Sequence, residues 1–131
     1  MAKRDLDQLL AIPVKCIDVA AKTDGTVNGV AVDMKGYHSL MFFVDSDAWT
    51  DGTHTLTLED SPDNSTWTAV SGGPSIVIDG AADDDQAYKA EYQGNKRYVR
   101  PVLVTASSTI GAIIGSLGVR GHKALKGKLN Q

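Results

Sequence analysis

The stretch Leu56–Val70, LTLEDSPDNSTWTAV, constrains the fold more than any other. Leu56 and Leu58 alternate with Thr55, Thr57 and Glu59, the period-2 pattern of a strand with one face buried. Thr66 to Val70 then resumes in residue types that favour a pleated surface, with Trp67 expected in the core or half-buried. Between the two runs Pro62 presets φ at the first corner of a turn and Asp63 suits the second. Asn64 tolerates the left-handed conformation that closes a bulged hairpin.

The same alternation recurs on either side. Ile17, Val19 and Ala21 make one face of a first strand, turn residues follow at Thr23–Gly25, and Val30, Val32 and Met34 are expected to face inward on a second. Ser39–Val44, SLMFFV, is apolar on consecutive residues, as in a central strand covered on both faces or buried at an interface. Asp45–Gly52 reads as a polar loop carrying Trp49, and Gly80–Asp85 as an acidic loop. Tyr88, Ala90 and Tyr92 alternate with Lys89 and Glu91. In Lys96–Val104, KRYVRPVLV, Pro101 has no N–H for a ladder hydrogen bond, which predicts an edge or a bulge. Ile110–Val119 ends the series, with Ile113, Leu117 and Val119 on one face. Roughly eight or nine short strands, with no helical pattern long enough to cross between parallel strands, predict an all-β fold: an antiparallel β-sandwich, of which a jelly roll is one form.

The two ends read differently from this body. In residues 1–13 Leu6, Leu9 and Leu10 fall at helical spacing and Pro13 closes the segment, so a short N-terminal arm or helix is expected before a sandwich spanning 14–121. Such a segment gains order by packing on a partner surface or by covering the domain's own open end. Residues 122–131 form a basic C-terminal tail without an acidic residue, carrying Lys123, Lys126 and Lys128. It reads either as a solvated end or as a segment that docks on an acidic surface.

A chain of 131 residues is long enough for one core without disulfide staples, and its single cysteine, Cys16, permits no intramolecular disulfide and no Cys-rich zinc site. Cys16 reads as a small packed strand residue. The net charge of −3 argues against general nucleic-acid binding, which rests on basic surfaces. The charged start MAKRDLDQLL does not suit a signal peptide, and no apolar run approaches a membrane span, so synthesis as a soluble cytoplasmic chain is expected.

No catalytic constellation is visible. His38, His54 and His122 are widely spaced, outside any HExxH frame, and read as surface or turn residues. The glycines of the last strand fit neither GxGxxG nor a phosphate-binding loop, and no GxSxG elbow occurs. Asp79 with Asp83, Asp84 and Asp85 could offer oxygen ligands to calcium, but the spacing lacks EF-hand order, and a solvated turn accounts for the cluster. No metal, cofactor or enzymatic activity is therefore expected. Trp49, in a polar loop, is the aromatic best suited to a contact surface.

Taken in order, LTLEDSPDNSTWTAV, an acidic DDD loop, EYQGNKRYVRPVLV and a Gly- and Ala-rich strand ending LGVRGH resemble small virion proteins of tailed bacteriophages, in particular head decoration or cement proteins. The resemblance covers about residues 14–122. It implies a β-sandwich or jelly-roll module that binds the outside of the shell of major capsid protein as a dimer or trimer, on the capsid surface of the virion. The contact residues it suggests are Leu6, Leu9 and Leu10 in the arm, Trp49, and Lys123, Lys126 and Lys128 in the tail. S-P-D-x-x-x-W-T-x-V turns also occur in tail sandwiches and carbohydrate-binding sandwiches. A tail or neck structural protein and a sugar-binding module are accordingly the alternatives.

Overall fold

The computed structural model describes residues 10–123. Its elements run β1 (Val14–Lys22), β2 (Gly25–Asn28), β3 (Val32–Asp33), β4 (Tyr37–Trp49), β5 (Thr53–Ser61), β6 (Thr68–Ala69), β7 (Ile76–Ile78), a 3-10 turn (Ala81–Asp83), β8 (Gln86–Glu91), β9 (Tyr98–Ala106) and β10 (Ala112–Lys123). Leu6, Leu9, Lys126 and Lys128 lie outside the described residues, and Lys123 closes β10.

The strands form two antiparallel sheets, one ordered β1-β10-β4-β8 and the other β2-β9-β5-β6, with β3 on β9 and β7 on β5. Alternation directs one side chain in two between the sheets. Leu40, Phe42 and Val44 of β4 meet Leu56 and Leu58 of β5 and Val99 and Leu103 of β9 in a single buried cluster. Each such side chain contributes on the order of 1.5–3 kcal/mol by leaving water. The packed pair of sheets is the β-sandwich that the strand spacing predicts.

The central hairpin forms as read: Glu59 pairs with Ala69 and Asp60 with Thr68. Asn64 takes φ 61 at its tip. The Asp63 carboxylate accepts from the N–H groups of Ser65 and Thr66 at 2.9 and 2.8 Å, closing the turn from inside. Trp67 is half-buried, with the Arg100 guanidinium 4.2 Å over its ring. Arg100 also donates to Glu59 across the sheet, at 2.7 Å from Nη2.

Four expectations need correction. First, β4 continues through Asp45 to Trp49, so that segment is strand, not loop. Second, Lys96–Val104 is not an edge: β9 is flanked by β5 on one side and by β2 and β3 on the other. Pro101 fits because β2 ends at Asn28 and β3 begins at Val32, so no strand carbonyl on that side needs an N–H from it; Gly29 N–H donates to its carbonyl at 2.7 Å. Third, β1 carries register shifts between Lys15 and Ile17 and between Ile17 and Ala20. They break the expected alternation, burying Cys16 and Ile17 together and leaving Val19 and Ala21 outside. Val30 likewise points outward, 58% exposed, in the connection after β2. Fourth, Ile110 lies in the turn before β10, which begins at Ala112; Ile113, Leu117 and Val119 do share a face, the one turned away from the core, because Ala112, Ile114 and Ser116 take the inner positions.

Candidate functional site

That outward turn defines the most distinctive surface of the molecule. In register across the four-stranded sheet, Leu117 of β10 pairs with Phe43 of β4, and Val119 with Met41. Phe43 is 47% exposed and Leu117 43%, while Met41 and Val119 are half-buried. Gly115 is opposite Asp45, and Val19 of β1 folds over it so closely that a Cβ on Gly115 would lie 2.4 Å from a Val19 methyl. The missing side chain leaves a shallow apolar cleft of about 260 Å³ floored by Gly115 and walled by Val19, Phe43 and Leu117. Lys15 and Asp45 stand at its margin, and Lys89 and Glu91 of β8 pair in register with Phe43 and Met41 of the apolar row.

The other sheet presents a different exterior. Outward positions of β5 are Thr53, Thr55, Thr57 and Glu59, and exposed Val77 and Val104 stand singly beside Thr55. One outer face is therefore a contiguous apolar row and the other a threonine surface, which is the contrast expected when one face meets a partner and the other meets water.

A second apolar hollow, of about 250 Å³, continues from Phe43 and Met41 along Val119 to Leu10 and His122. Leu10 bridges Gly121, and Ala11 N–H donates to Arg120 O at 2.9 Å. Both ends of the described chain thus meet at one corner of the apolar face. Of the residues named from the sequence, Leu10 and the backbone of Lys123 stand there.

Trp49 does not. The register shift between the Ala112 and Ile114 pairs reverses its side of β4, and the half-buried indole packs against the core. Its Nε1–H donates to Gly52 O at 3.0 Å. Phe43 is the exposed aromatic instead. The run SLMFFV carried the signal, in a side chain that is apolar on the face alternation leaves outside.

His54, read as a surface or turn residue, is fully buried. Nε2 lies 3.1 Å from Asp51 O, an acceptor only, so Nε2 carries the hydrogen; Nδ1 pairs with the Thr105 hydroxyl at 2.8 Å. The Asp51 carboxylate gathers the β9–β10 turn by accepting from the Ser108 hydroxyl at 3.0 Å and from the N–H groups of Thr109, Ile110 and Gly111, the last at 2.7 Å. These amides, Gly111 first, hold the Asp51 carboxyl below its ordinary range.

In the acidic loop two of the carboxylates are taken up by donors within the molecule. Asp83 accepts from Asp79 N–H and the Tyr88 hydroxyl, at 3.0 and 3.1 Å, and Asp84 accepts from Trp49 N–H. Among the described residues no three His, Cys, Asp or Glu side chains come together as a metal site, and no helix is long and apolar enough to cross a membrane. No protein-family model matches the chain, and no curated protein is significantly similar to it.

Proposed function

We propose that the chain is a bacteriophage capsid decoration protein that binds the outer surface of the major capsid protein shell and stabilises it. The observation that carries this reading is the apolar exterior of β1-β10-β4-β8, continuous from Val19 through Leu117 and Phe43 to Leu10. A rigid sandwich with one apolar outer face and one threonine face suits a protein whose work is contact, without catalysis or cofactor. In this reading the face seats on the shell, with apolar side chains at the centre and Lys15, Lys89 and Glu91 at the rim, as in protein interfaces generally. Leu6 and Leu9 of the arm and Lys126 and Lys128 of the tail take part in the contact, and the protein acts as a dimer or trimer on the virion.

The test is cosedimentation of the purified protein with shells of its own phage that lack it, followed by cryo-EM of the pellet. Ordered density on the outer shell with the Phe43 face inward supports the reading. A protein that stays in the supernatant refutes it and points to a tail or neck location. Trp49, half-buried and hydrogen-bonded, gives no support to stacking on a sugar.

A further inference from the structure

The charged side chains are distributed unevenly between the two ends of the sandwich. At the end where β3 leads into β4 and β8 into β9, a cleft of about 380 Å³ is lined by Lys35, Tyr37, His38, Tyr92, Lys96 and Arg97 among others, with no acidic residue in its wall. Two of these cations are already paired, so the net positive charge rests on Lys35 and on Arg120 of β10: Arg97 donates two hydrogen bonds to Asp33, both at 2.9 Å. Asp60 takes the Tyr92 hydroxyl at 2.8 Å and lies 3.2 Å from Lys96 Nζ. Arg120 adds a further cation beside them, 4.8 Å over the Tyr37 ring and bonded through Nη1 to Asp33 O. Lys35 is exposed at the mouth, in the turn between β3 and β4.

At the opposite end, where β1, β4 and β9 finish, the balance reverses. Asp24, Asp47, Asp51, Asp79 and the Asp83–Asp85 run cluster there, and among the described residues Lys22 is the cation that accompanies them. The chain as a whole carries a net −3, so the basic cleft is a local inversion of sign on an acidic molecule.

We propose that the basic cleft of one copy receives the acidic end of a second copy, so that copies of this chain join head to tail. The occupant follows from charge complementarity: the cleft calls for exposed carboxylates, and this chain's opposite end supplies Asp79 and Asp85, exposed on either side of the half-buried Asp83 and Asp84. The two surfaces are different, so the contact is heterologous, and it produces a ring if the rotation between copies closes and a filament if it does not. It uses neither the apolar face nor the chain ends, and stands independently of the capsid reading.

Sedimentation velocity on the full chain at about 0.5 mM protein and low salt tests it, since ion-pair contacts of this kind are screened within about 10 Å at 0.1 M salt. The expected result is a concentration-dependent series of oligomers that weakens about tenfold or more as salt is raised. Lys35→Glu in the cleft and the pair Asp79→Asn with Asp85→Asn at the other end should each give monomers with an unchanged melting temperature. Mixed together, they should form a one-to-one dimer, because one intact cleft and one intact acidic end remain. A wild-type protein that is monomeric throughout overturns the proposal. So does association that neither salt nor either variant weakens, which would place the contact on the apolar face. If a variant fails to fold, the wild-type salt series alone decides.

Discussion

At the scale of single residues, several polar side chains hold turns that apolar packing cannot. Asp51 is the clearest, since four donors of the β9–β10 turn converge on it. Asp51→Ala should lower the melting temperature, whereas Asp85→Asn, which keeps a residue tolerant of φ 52, should leave it unchanged; calorimetry of the two variants checks this. Gly111 beside it takes φ +90, and a Cβ there would lie 1.9 Å from Lys22 O, so Gly111→Ala should destabilise through both strain and collision.

Carboxylates of this kind also set the acid response. Arg97 holds Asp33 down at about 2, and Asp51, Asp63 and Asp83 are lowered chiefly by backbone N–H groups. Because their folded values lie below the unfolded ones, the stability they contribute is complete above the ordinary carboxylate range near pH ~4. It is lost as the pH falls through the folded values. Melting temperature should therefore hold down to about pH 4 and drop between there and about pH 2, each exposed group contributing little alone.

Cys16 behaves oppositely: 4% exposed, its thiol is pushed up to about 11 by burial, with a hydrogen bond from Gly118 opposing. A thiol reagent at about pH 8 should label it slowly in the native protein and readily in denaturant.

At the scale of elements, the hairpin was legible because its turn chemistry is local: Pro62, Asp63 and Asn64 set the conformation without help from the rest of the fold. Leu58, pointing inward from β5, is almost completely buried, and Leu58→Ala should cost about 2–5 kcal/mol, measurable by denaturant unfolding. The segments that depart from the sequence expectation, β1 and the far end of β4, are those with register shifts. A bulge reverses alternation and leaves no mark in the residue pattern, so the pattern groups Val19 with buried Ile17 and does not show that the Trp49 indole turns to the core. The interior setting of Pro101 is illegible for a related reason: the gap between β2 and β3 that accommodates it depends on pairing between segments distant in sequence. The burial of His54 likewise waits on Thr105, 51 residues away.

At the scale of the whole molecule, the two sheets close one core between them and present unlike exteriors. The apolar one is half legible, since SLMFFV reads as a strand covered on both faces or buried at an interface, but its partners Leu117 and Val119 reach Phe43 and Met41 only through the β10–β4 register. Phe43 and Leu117 are almost half exposed, so Phe43→Thr with Leu117→Thr, which places no new charge between Lys15 and Lys89, should cost about 2 kcal/mol or less of unfolding free energy. Val77→Thr with Val104→Thr makes the matched change on the threonine face, at residues of similar exposure. The most direct measurement is the affinity of these two variants and the wild type for shells of the phage that lack the protein. Loss of binding with the first pair and wild-type affinity with the second is the expected result. Equal binding by all three, with all three folded, would contradict the assignment of the β1-β10-β4-β8 face as the contact surface.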